Sequence, residues 1–165
     1  MADGSWTDYV GTAAGIFGAV MGFLGYKRSS QIKSLDLRLE LRKAVSDSHT
    51  TLATLRGTMD LAARSRPAVL AAQGLYNSGN RVVWEQALNT DKAEVDRLAA
   101  SIRGEDADYS ALSSEALESE IVASHKVNTV LNALIDKYRG ELATDDEARR
   151  QIAQFHHDRV NATRK

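Results

Sequence analysis

Five glycines in an uncharged stretch constrain this chain more than any other feature. Eighteen residues without charge lie between Asp8 and Lys27, with glycine at Gly11, Gly15, Gly18, Gly22 and Gly25. The spacings are 4, 3, 4 and 3, a mean of 3.5, which is the repeat of a helix seam. Gly11 to Gly15 and Gly18 to Gly22 are both GxxxG pairs, the pattern that lets two helix backbones approach closely. In a water-exposed helix each glycine costs up to ~1 kcal/mol relative to alanine, so five together call for a packing partner. The chain has no second apolar stretch of this length. The stripe is therefore expected to be a self-association face, making the protein a homo-oligomer.

The same stretch predicts a membrane anchor. Val10 to Tyr26 holds seventeen residues, ten of them Val, Ala, Ile, Phe, Met or Leu. As a helix it spans about 25 Å, just short of the roughly 30 Å hydrocarbon core. Trp6 and Tyr9 at one end and Tyr26 at the other suit the headgroup interface, and Lys27, Arg28 and Lys33 follow directly. The residues before the run carry Asp3 and Asp8 but no Lys or Arg, unlike a cleaved signal peptide. The expectation is a transmembrane segment over residues 1–28 and a cytoplasmic helical domain over residues 29–165. By the positive-inside rule the N-terminus lies outside a bacterial-type inner membrane. Trp6, Tyr9, Tyr26, Lys27 and Arg28 are the expected interface residues.

The fold class follows from punctuation. One proline and no cysteine occur among 165 residues, which excludes a disulfide scaffold, a thiolate zinc site and a cysteine nucleophile. An all-α bundle with a long first helix is predicted. Leu35, Leu37, Leu39 and Leu41 alternate with Asp36, Arg38 and Glu40 like a strand, but Val45, Leu52, Leu55, Met59 and Ala62 continue at helical spacing. Leucines spread around one helix imply contacts on more than one side, in the bundle and against a neighbouring subunit. Pro67 is expected to end this helix at Arg66, with Ser65 capping a short one that stops at Asn77-Ser78-Gly79-Asn80. A further helix is expected from Val82 to Arg103, with a break at Asn89-Thr90. Another should run from Ser113 to Arg139 and stop at Gly140, and the last should open on a Thr144–Glu147 capping box.

Net charge is −1, which excludes a binder of nucleic acid through bulk charge, and no direct DNA binding is expected. The charge is nevertheless segregated: residues 27–66 hold nine Lys/Arg against four Asp/Glu, and residues 84–120 hold three against ten. A basic half beside anionic headgroups and an acidic distal half are expected.

Motifs for chemistry are sparse. There is no P-loop, HExxH, GxSxG or dinucleotide fingerprint. His49, His125, His156 and His157 do not share a ligand spacing, so no metal and no cofactor is expected. Arg149 and His156 stand seven apart on one helix face, and Arg150 and His157 repeat the spacing. An Arg followed by four to six residues and then His resembles the signature of HEPN ribonucleases, small helical bundles that cleave RNA across a dimer. That resemblance makes Arg149 and His156 the catalytic candidates of a third-ranked reading. The family favours a polar Asn, Asp or His after the Arg. Here Gln151 follows Arg150, and Arg42 to His49 shows the same spacing.

In plan, Gly11 to Gly25 leading into a helical body resembles glycine-zipper membrane effectors. These include fungal HeLo domains and CRISPR-associated membrane accessory proteins of antiviral systems. The resemblance implies a homo-oligomer that forms or perturbs a pore in the lipid bilayer, in defence or lysis, without enzymatic activity. The second reading is a membrane-anchored scaffold or adaptor that binds a cytosolic protein or ribonucleoprotein.

Overall fold

The computed structural model describes the backbone of residues 4–163, and side chains for Met21 and for residues 32–162. Among the described residues there are three helices: α1 (Gly4–Ala72), α2 (Gly79–Ser101) and α3 (Ser114–Thr163). The all-α expectation holds. Lys33 pairs with Glu118 and Ser65 with Asp145, so α1 and α3 run parallel. Arg56 reaches Asp96 and His49 reaches the Arg103 carbonyl, so α2 runs back between them.

The main core forms where the three helices meet. Leu52, Leu55, Met59 and Ala62 come from α1, Leu88, Val95 and Leu98 from α2, and Leu131, Ile135 and Tyr138 from α3. Their recurrence at three and four residues places them on one stripe of each helix. A smaller core at the other end joins Leu41 and Val45 to Leu117, Ile121 and the loop residue Tyr109.

Helix boundaries depart from the sequence reading in four places. Pro67 does not end the first helix but lies inside α1, which continues to Ala72. Proline removes one backbone bond and strains the preceding turn. Val69, Leu70 and Ser65 are buried on either side of it, so tertiary packing carries the helix across. The stop comes at Gly74, whose φ of 74° is open to glycine. The Leu75 N–H donates to the Leu70 carbonyl at 2.7 Å and the Gly74 N–H to that of Ala71 at 3.0 Å, a Schellman closure.

The expected break at Asn89-Thr90 is absent: α2 is continuous, and the Thr90 hydroxyl returns its hydrogen to the Gln86 carbonyl. Gly140 likewise lies inside α3. Thr144 does not cap a new helix, because its hydroxyl donates to the Gly140 carbonyl at 2.9 Å. Buried Tyr138 and Asp145 flank this point and hold the helix through it. The true cap of α3 is Ser113, whose Oγ accepts the Ala116 N–H at 3.2 Å.

The membrane assignment is corrected. Among the described residues no helix is long and apolar enough to cross a membrane. The transmembrane segment, the pore and the inner-membrane placement are withdrawn with it. The inference leaned on a run of about 25 Å against a core of roughly 30 Å, in which glycine contributes no apolar side chain. Instead of a short anchor joined to a separate body, one 69-residue helix runs from Gly4 into the bundle. The interface residues Trp6, Tyr9, Tyr26, Lys27 and Arg28, and the stripe Gly11, Gly15, Gly18, Gly22 and Gly25, lie outside the described side chains.

Candidate functional site

Arg149, one half of the ribonuclease-like pair, belongs to a polar network that joins all three helices. Its Nη2 donates to Ser65 Oγ and to Asp146 Oδ1, each at 2.9 Å. Ser65 Oγ passes its own hydrogen to Asp145 Oδ2 at 2.7 Å. Asp145 is 1% exposed, and Arg66 Nη1 lies 3.1 Å from its Oδ1. That contact is an ion pair rather than an aligned hydrogen bond. Arg66 also faces Glu141 at 4.0 Å, and Glu141 accepts the Trp84 indole N–H from α2. A carboxylate this deep is tolerated only because a guanidinium and a hydroxyl compensate it.

His156, the other half, is exposed and stacks edge-on against Phe155, with ring centroids 6.1 Å apart. The two candidates share α3 but not a contact: Arg149 turns to Ser65 while His156 faces outward. Arg150 pairs with Glu147 at 3.3 Å, and His157 meets Asn161 at 3.0 Å. His49 bonds the Arg103 carbonyl at 2.9 Å, and His125 is exposed on α3. Among the described residues no group of three or more His, Asp or Glu is placed to hold a metal ion.

The network was not foreseen in the sequence. Ser65 reads there as a cap and Asp145 as part of a capping box, because both assignments follow from expected breaks at Pro67 and Gly140. Once α1 and α3 continue through those residues, Ser65 and Asp145 become interior positions facing each other.

Two further features lie on the surface. The first is a groove of about 450 Å3 where α1 ends beside α3, lined by Ala72, Gln73, Ala148, Ile152, Phe155 and His156. The second is the outward face of α1. Met21, Ile32, Leu35 and Leu39 are 57, 56, 56 and 64% exposed, whereas Leu41, two residues on, is fully buried. Of the four leucines, Leu37 and Leu41 pack inward, whereas Leu35 and Leu39 are exposed and border a groove of about 190 Å3 with Arg38, Arg42 and the loop residues Asp108, Tyr109 and Ser110.

The electrostatics around the α2–α3 loop are local. The Arg103 guanidinium hydrogen-bonds Glu120, with Nε to Oε2 at 3.0 Å, and holds that carboxyl below its ordinary range. Asp108 is lowered by the Ser110 hydroxyl and backbone N–H, with smaller help from Arg42 and Arg38. Burial pushes the Tyr138 phenol well up, and its hydrogen bond to Asp91 at 2.6 Å adds to the shift. The Arg103–Glu120 pair borders a cavity of about 100 Å3 with Ser48, Ser101 and Ser124, and Asp108 borders one of about 190 Å3 with Arg38 and Arg42. No family model, curated protein or solved structure matches the chain.

Proposed function

We propose that this protein is a self-assembling helical scaffold: a three-helix body whose first helix offers its outward face to further copies. One observation carries the reading. Met21, Ile32, Leu35 and Leu39 recur at heptad positions along α1, and each is more than half exposed. Scattered exposed leucines need no explanation, but large apolar residues in a repeating register form the seam of a helix pair. The glycines at positions 25, 18 and 11 fall seven, fourteen and twenty-one residues from Ile32 in the same register. Arg149 is committed to Ser65 and Asp146, which favours scaffolding over RNA cleavage.

The test is the molar mass of the full-length protein by light scattering, beside a Leu35→Lys/Leu39→Lys variant. Assembly in the wild type and a shift to monomer in a still-helical variant support the reading. A monomeric wild type contradicts it. RNA cleavage by the purified protein that is lost in His156→Ala would favour the ribonuclease reading instead.

A further inference from the structure

From the groove between α1 and the α2–α3 loop we infer a binding site for a small monocarboxylate that carries a short apolar chain. The inference goes beyond the scaffold reading and does not rest on it, since every group it uses belongs to one chain.

The sequence sets two rows of the site. Leu35 and Leu39 stand four residues apart on α1, and Arg38 and Arg42 stand four apart beside them. On a helix that spacing stacks each pair along the axis, so an apolar row runs next to a basic one. The loop residues Asp108, Tyr109 and Ser110 close the other side, leaving a cavity of about 190 Å3.

The charges in this cavity do not cancel. Three charged residues line it, Arg38, Arg42 and Asp108. The Asp108 carboxylate is committed within the loop: Oδ1 accepts the Ser110 N–H at 2.8 Å and Oδ2 the Ser110 hydroxyl hydrogen at 2.7 Å. Arg38 is held by one nitrogen, Nη2, which donates to the Ser110 carbonyl at 2.9 Å, while its Nε is buried without an acceptor. Arg42 is exposed, and among the described residues it makes no hydrogen bond or ion pair; its charge reaches Asp108 only through space. Two cations against one anion leave one positive charge for a ligand to neutralise. Tyr109 is 1% exposed, and its hydroxyl also lacks a partner. The walls thus hold donor capacity that no protein acceptor uses, where such groups are ordinarily paired.

Geometry and size choose the ligand class. A guanidinium fork matches a planar carboxylate. An exposed ion pair contributes little by itself in water, so the affinity needs apolar contact as well. Leu35 and Leu39, 56 and 64% exposed, offer that contact directly beside the arginines. A cavity of about 150 Å3 admits benzene, so this one suits a ligand of roughly seven heavy atoms, such as pentanoate. A nucleotide is too large for it, and a dianion exceeds its one free charge.

Saturation-transfer NMR on the full-length protein, with sodium pentanoate as the probe, tests the site. Pentanoate is expected to bind saturably. Acetate and 1-pentanol should each bind at least tenfold more weakly, because each keeps only half of the recognition. Arg42→Gln should weaken pentanoate binding at least tenfold; the side chain is exposed, and circular dichroism checks that the fold is kept. Arg150→Gln, at an exposed position on α3, should leave binding unchanged. Equal binding of acetate or 1-pentanol, undiminished binding by Arg42→Gln, or an equal loss in Arg150→Gln overturns the site. Light scattering on the same samples keeps the two readings apart. No saturable signal from an assembled wild type overturns the site and leaves the scaffold standing. Saturable binding to a protein of single-chain mass keeps the site and overturns the scaffold.

Discussion

Ser65 donates its hydroxyl hydrogen to Asp145 across the α1–α3 seam at 2.7 Å, and this bond fixes how the two longest helices register. Asp145 is also the partner of Arg66, so its removal leaves a guanidinium only 21% exposed without its closest anion. Breaking a buried pair from one side costs about 3–5 kcal/mol. Asp145→Ala is expected to lose close to that amount in urea unfolding. Ser65→Ala should lose about 1 kcal/mol, the net worth of one hydrogen bond. Equal losses in the two variants would show that the hydroxyl, not the ion pair, dominates the network.

Pro67 offers the reverse effect. A proline inside a helix costs about 3 kcal/mol through its missing N–H and its clash with the preceding turn. Because α1 continues to Ala72, Pro67→Ala should raise stability by about 1–3 kcal/mol in the same assay. A loss of stability would mean that the proline ring itself packs productively.

Gly140 gives a milder gain. It lies in the middle of α3, and a β-carbon added there meets nothing within 4 Å. Gly140→Ala should stabilise by up to about 1 kcal/mol, read as a higher thermal midpoint with unchanged helicity. A lower midpoint would contradict the continuous α3.

These two residues also show what the sequence made legible. The all-α class and the apolar stripe from Val45 to Ala62 could both be read from spacing. The continuity of α1 and α3 could not. Pro67 and Gly140 are strong local stop signals, and only the packing of Leu70, Tyr138 and Asp145 against other helices overrides them. The Ser65–Asp145–Arg149 network was hidden for the same reason, since its members look like caps when the helices are taken to end. The membrane reading failed differently. Low charge and heptad glycines describe a close-packed helix seam as well as a lipid-facing span, and periodicity alone does not separate the two.

Acid should loosen the α2–α3 loop. Arg103 lowers the Glu120 carboxyl below its ordinary value of 4.5. A depressed carboxylate adds stability above its unfolded value and loses it as pH falls through the folded one. The contribution is therefore present at neutral pH and disappears below about pH 4.5, through the acid range. Glu120→Gln should flatten that part of the stability–pH curve while leaving the neutral-to-alkaline limb unchanged. An identical acid limb in the variant would show that other carboxylates govern it.

Sedimentation equilibrium of the full-length protein over a hundredfold range of concentration tests the central claim most directly. Self-assembly through the outward face of α1 predicts a mass that rises with concentration above 18.0 kDa. It also predicts that Leu35→Lys/Leu39→Lys holds that single-chain mass throughout with the helicity of the wild type. A wild-type mass fixed at one chain across the range, or a variant that assembles as the wild type does, would contradict it.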